Sequence, residues 1–141
     1  MNYELAITKR ESRIDKWDDV DYTTLPIEDL LPLRENWTSI FSFLGEKEAV
    51  MRRKYLLAEK ARKRAFMEAK IKHIESGMTA TKAESHAELD IQGKREHEIE
   101  MESEYHLYRN RRESAKEIIS SLGQLIGVVR QEREQTQFQK G

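Results

Sequence analysis

Two runs of opposite charge, separated by a short break, constrain this chain more than any other feature. Arg52 to Lys72 holds nine Lys/Arg and two Glu, a net of +7, whereas Glu84 to Glu104 holds eight acids and two bases, a net of -6. Both runs are rich in Ala, Lys, Arg, Glu, Leu and Met, all strong helix formers. Gly77 between them is a natural C-terminal stop. Thr81 with Glu84 three residues on has the form of a capping box, and Thr79 is a second candidate cap. The pattern predicts one helix from Glu46 to about Ser76 and another from about Lys82 past Arg112, laid antiparallel as a long hairpin. The net charge of the 141 residues is only -1, so the sum hides the segregation. Charge arranged in blocks points to an interaction protein, with each block meeting a partner or a neighbouring helix.

The apolar residues are few, and their spacing is helical. Leu33, Trp37, Ile40, Phe41 and Leu44 form one face. Pro26 and Pro32 bracket a short helical turn at 27–31, and Pro32 is placed to start the next helix, where its missing N–H costs nothing. Gly45 is a candidate break. Met51, Tyr55, Ala58, Ala65 and Ala69 make a narrow stripe widened by Leu57 and Phe66, suited to close helix–helix packing. The second arm is sparser, with Ala83, Ala87, Leu89, Ile91, Ile99, Met101, Tyr105, Leu107 and Tyr108, and Gly93 weakens it by about 1 kcal/mol relative to Ala. An Arg-rich bend at 109–112 would make two helices of residues 82–131. Ala115, Ile118, Ile119, Leu122, Leu125, Ile126, Val128 and Val129 form an apolar C-terminal helix, and the polar tail from Gln131 is expected to fray. The fold class is therefore all-α: a long antiparallel helical hairpin with a short N-terminal helix and an apolar C-terminal helix. Residues 1–25 read as an acidic arm, mobile or peripheral, with Trp17 and Tyr22 among Asp15, Asp18, Asp19 and Asp21. Residues 26–133 read as the helical domain and 134–141 as a polar tail.

Composition excludes several chemistries. The chain has no Cys, which removes disulfides, thiolate metal sites and Cys nucleophiles. His73, His86, His97 and His106 are preceded at three residues by Lys70, Ala83, Lys94 and Ser103, so the Glu-x-x-His pattern of di-metal bundles is missing. Phosphate-cradling glycine loops and the GxSxG elbow are missing too. The expectation is a protein without a catalytic centre, a metal or a cofactor. No apolar run reaches the roughly 18 residues of a membrane span and no signal peptide opens the chain, so a cytoplasmic protein is expected.

The basic run is the candidate binding element. Arg52, Arg53, Lys54, Lys60, Arg62, Lys63, Arg64 and Lys70 are interleaved with Tyr55 and Phe66. Arg53, Lys60 and Arg64, with Lys63 and Lys70 less closely, fall along one side of a helix. Such a ridge neutralises phosphates with release of counterions, and an aromatic beside it stacks on an unpaired base. The competing arrangement pairs this run with the acidic helix across the hairpin, and the two arrangements are compatible. Near the C-terminus, Gly123 and Gly127 are spaced for close backbone approach. Ile118, Leu122, Leu125, Ile126 and Val129 around them have little internal core to enter, which points to a homo-oligomer joined by this helix.

The order of these features resembles the UvsY-like recombination mediators of T-even-type bacteriophages. The similar points are Trp37 ahead of the basic run, the stretch KEAVMRRKYLLAEKARKRAFMEAK from Lys47 to Lys70, the Thr/Gly break, HAELD at 86–90 and the Arg-rich approach to an apolar C-terminal helix. The resemblance covers roughly residues 36–133 and is one of layout and composition. It implies a small all-helical protein that forms ring-like homo-oligomers, binds single-stranded DNA in the host cytoplasm and helps load a recombinase onto DNA covered by single-strand-binding protein. DNA contacts would then fall on the basic helix, with Tyr55 or Phe66 stacking. The alternatives are a structural or adaptor protein whose charge blocks pair with each other, an inhibitor whose acidic helix mimics DNA, and an enzyme built on a carboxylate site of unfamiliar pattern.

Overall fold

The computed structural model describes residues 24–139. Among them the chain is all-helical and without strands: α1 spans Ile27–Glu75, α2 Ala80–Asp90 and α3 Gln92–Gln139. The acidic arm falls outside the described residues as far as residue 23.

The joints between helices differ from the sequence expectation. Pro32 does not start a helix; it lies inside α1, which begins at Ile27 and continues through Gly45. An interior proline costs about 3 kcal/mol through a lost hydrogen bond and a clash with the preceding turn. Burying each of Ile27, Leu30, Trp37 and Ile40 recovers about 1.5–3 kcal/mol, so the helix survives with Pro32 on its exposed side. The predicted short N-terminal helix is thus the first turns of α1. Gly45 does not break the helix either: α1 runs through it, and a Cβ there would stand at ordinary contact distance, 3.7 Å, from the Arg112 side chain.

The second arm divides earlier than expected. The division is at Ile91 (φ -99°, ψ 11°), not at the arginines 109–112, which lie within α3. Hydrogen bonding continues across it, with Ile91 N–H donating to Ala87 O and Arg95 N–H to Ile91 O. Ile91 is buried at the bend, and Gly93, a weak helix former, follows two residues on. The predicted C-terminal helix is the end of α3, which runs through Gln131 to Gln139.

By contacts the chain divides into two compact units: Leu44–Arg112, and the described parts of Met1–Phe43 and Glu113–Gly141. In the first, Leu44, Met51 and Ala58 of α1 and Ala83 and Ala87 of α2 are buried with Ile91. Alanines at these positions hold the arms close. Leu57, expected to widen the stripe, is instead 55% exposed, and Leu89 is 70% exposed. The arms run antiparallel: Glu48 meets Arg112, Tyr55 meets Tyr105, Arg62 meets Glu98 and Lys70 meets Glu84. The turn at the tip is closed by Gly77 N–H donating to Ile74 O and Met78 N–H to His73 O, a Schellman pattern that needs the positive φ of Gly77 (101°). Thr79 is the cap of α2, its hydroxyl accepting from Lys82 N–H at 3.4 Å, while Thr81 lies inside the helix.

In the other unit, Ile27, Leu30, Trp37 and Ile40 of α1 are buried with Ala115, Leu122 and Ile126 of α3. Arg133 donates to Glu28 at 2.9 Å and ties the ends of the two helices. It also holds the Glu28 carboxyl below its ordinary range, chiefly through that hydrogen bond.

Candidate nucleic-acid interface

The cations of α1 divide into two groups. Arg62 donates to Glu98 across the arms, both side chains largely buried, and Lys70 donates to Glu84 at 2.9 Å. Lys63 pairs with Glu59 at 2.7 Å and Arg64 with Glu68 at 3.1 Å, each one turn away along α1. Arg52, Arg53, Lys54 and Lys60 make no ion pair among the described residues and are exposed. The pairing expected between the blocks therefore occurs, through Arg62 and Lys70, and leaves four cations of the candidate set to solvent.

Arg52, Arg53 and Lys60 line one open groove of about 650 Å³, with Leu56 and Leu57 between them and Gly45 at one end. The Glu48–Arg112 pair, at 2.6 Å, forms part of the wall. Lys54 turns to a second groove of about 520 Å³, where Lys94 and His97 of α3 join it beside Met101. Sequence reasoning missed Lys94 and His97; the available signal was that Lys94 and Arg95 are the two bases in an otherwise acidic run.

The aromatic residues of the candidate site lie elsewhere. Tyr55 stacks on Tyr105, with ring centroids 6.1 Å apart and planes within 7°. Burial raises its hydroxyl pKa above the ordinary tyrosine value, and Glu102, Glu59 and Glu98 add to the effect. Phe66 is half-buried. A helix turns about 100° per residue, which sets Tyr55 on the side of α1 away from Arg53. The apolar surface beside the free cations is therefore aliphatic, supplied by Leu56 and Leu57.

At the C-terminal end, Leu122 and Ile126 are buried by the chain itself. Gly123 admits the Arg34 guanidinium, whose Nε is 3.4 Å from the place of a Cβ, whereas Gly127 faces open space. Ile118, Leu125 and Val128 line an apolar groove of about 550 Å³. Of the expected interface, Ile118, Leu125, Gly127 and the half-buried Val129 remain in part accessible. Near the tip, His73 Nε2 lies 2.5 Å from Asp90 Oδ2, and the His86 ring is 5.4 Å from that of His73. Among the described residues no three metal-ligating side chains converge, and no helix is long and apolar enough to cross a membrane.

Compared with known proteins, the chain matches no family model, no curated protein and no solved structure.

Proposed function

We propose that this chain is a non-enzymatic nucleic-acid-binding protein that prefers single strands and takes the backbone in the groove lined by Arg52, Arg53 and Lys60. The observation that carries this reading is the set of three cations, without carboxylate partners among the described residues, gathered on one concave surface. Phosphates bound there displace condensed counterions, and the entropy of their release drives association. Leu56 and Leu57 offer apolar area against which an unpaired base lies, in place of the stacking expected from Tyr55. Lys54, with Lys94 and His97, extends the positive surface to the other side of α1. Arg62 and Lys70 act within this reading as ties between the arms, and Lys63 and Arg64 as weaker contacts that retain their carboxylate neighbours.

A site of three cations is weak alone. A homo-oligomer repeats it along one strand, and effective concentration then raises affinity without new contacts. The accessible apolar residues Ile118, Leu125, Gly127 and Val129 support assembly through the end of α3. The resemblance to UvsY-like mediators adds the role itself, in which the assembled protein holds single-stranded DNA and helps a recombinase displace single-strand-binding protein.

The structural or adaptor reading also has an observation in its favour, the Arg62–Glu98 and Lys70–Glu84 pairs that join the two charge blocks. Fluorescence anisotropy of labelled single- and double-stranded oligonucleotides at two salt concentrations separates the two. Nucleic-acid binding should be salt-sensitive and favour the single strand. Replacing Arg52, Arg53 and Lys60 together by Ala should weaken it sharply. The slope of log affinity against log salt should fall by about 2, at ~0.7 for each phosphate no longer neutralised. Unchanged affinity in that variant sinks the groove assignment, and absence of binding at low salt moves the chain to the adaptor reading.

A further inference from the structure

The Leu44–Arg112 unit carries two outward faces of opposite charge. On α1, the side away from the buried Met51 and Ala58 presents Arg53, Leu57, Lys60, Arg64, Met67 and Ile71. Their spacing alternates between four and three residues, the spacing of a coiled-coil seam. Leu57, Met67 and Ile71 are each about half exposed. On α3, the side away from the half-buried Met101 and Tyr105 presents Glu96, Ile99, Glu100, Ser103 and Leu107, with Ile99 and Leu107 likewise about half exposed. Glu96 and Glu100 make no ion pair among the described residues, and Arg53 and Lys60 make none either. Each face therefore combines unpaired charge with exposed aliphatic area.

The two faces match in chemistry and cannot meet within one chain, because each points away from the core the arms share. We propose that the basic outward face of α1 docks on the acidic outward face of α3 in a second copy of this chain. In this contact Leu57 and its neighbours cover Ile99 and Leu107, while Arg53 and Lys60 reach Glu96 and Glu100. Two different patches meet, so the contact is head-to-tail and propagates from copy to copy, closing into a ring or extending as a filament. Opposite charge sets which faces pair, because like faces repel. The interface is separate from the apolar end of α3, but it shares Arg53, Leu57 and Lys60 with the proposed nucleic-acid groove, so a bound strand and a docked second copy compete for them.

Sedimentation velocity of the full chain without nucleic acid tests it. Wild type is expected to sediment as an oligomer that shifts towards monomer at high salt. R53E/K60E and E96K/E100K should each sediment as a smaller species than wild type, with helical circular dichroism unchanged. An equimolar mixture should regain the oligomer, since the reversed charges are again complementary. The neutral variant R53Q/K60Q should weaken assembly in the same direction. A monomeric wild type, a reversed variant that assembles like wild type, or a mixture that stays as small as the single variants overturns the proposal. Because Arg53 and Lys60 serve both readings, the two failures are separated on the acidic side: E96Q/E100Q, which leaves the Arg52–Arg53–Lys60 groove untouched, should lose this assembly and still bind oligonucleotides.

Discussion

Tyr55 of α1 and Tyr105 of α3 stack nearly parallel, 7° apart, across the two arms of the Leu44–Arg112 unit. The contact takes Tyr55 out of the role its position in the basic run suggests and makes it a clamp between arms. In a double-mutant cycle with Tyr55→Leu and Tyr105→Leu, chemical denaturation should return a coupling of about 0.5–1.5 kcal/mol. The hydroxyl titrates above the ordinary tyrosine range, so its contribution to stability is whole below that range and is lost as pH rises through the raised value. Tyr55→Phe should remove that part of the alkaline loss of helix.

The Arg62–Glu98 pair should matter far more to stability than the Lys63–Glu59 pair beside it. The first is largely shielded from water and joins the two arms; the second is exposed at Lys63 and lies within α1. Arg62→Ala should cost about 1.5–3 kcal/mol, as for a shielded hydrogen bond between charged groups. Lys63→Ala should cost about 0.3–0.5 kcal/mol. Urea midpoints of the two variants check the ranking, and equal effects would mean that the cross-arm pair is not shielded in solution.

Gly77 closes the tip with a positive φ, and a Cβ added there meets no neighbour within 4 Å. The cost of Gly77→Ala is therefore conformational alone, about 1–2 kcal/mol. Thermal unfolding should show this loss, whereas Gly127→Ala, which also meets open space but lies in a helix, should be neutral or stabilising.

Glu28 and Arg133 supply an acid-sensitive tie. Because the carboxyl pKa is lowered in the folded chain, the contribution is present above the ordinary carboxylate range and is lost as pH falls through the lowered value. Glu28→Gln should lower the melting temperature slightly at neutral and alkaline pH, where the tie is present, and converge with wild type in acid, so that the acid limb flattens. Both side chains are more than half exposed, so added salt should shrink the difference.

The helical class and the stop at Gly77 were legible because they depend on local chemistry, helix formers and a residue free to take positive φ; a threonine cap was legible too, but the capping-box spacing pointed first to Thr81 and the cap is Thr79. The joints were not. Pro32 and Gly45 are breakers by local rules, and burial of Leu30, Trp37, Leu44 and Met51 outweighs them. The bend at Ile91 stands two residues before Gly93, the weakest helix former near it, and Ile91 itself is buried there. The candidate site was legible as a block of charge, but which cations stay free depends on register between arms. Arg62 finds Glu98 and Lys70 finds Glu84, while Arg53 and Lys60 face outward. The same limit applies to Leu122 and Ile126, whose apolarity was plain and whose neighbours within the chain were not.

The tight turn at Gly77 also orders the folding of the chain. Lys70 and Glu84 are 14 residues apart, His73 and Asp90 are 17 apart, Arg62 and Glu98 are 36 apart, and Glu28 and Arg133 are 105 apart. The entropy cost of closing a loop rises with its length, so pairs beside the turn form most readily and each shortens the closure that follows. Loop closure thus predicts a zipper from the tip, and stopped-flow kinetics should show Gly77→Ala slowing folding and Glu28→Gln chiefly speeding unfolding.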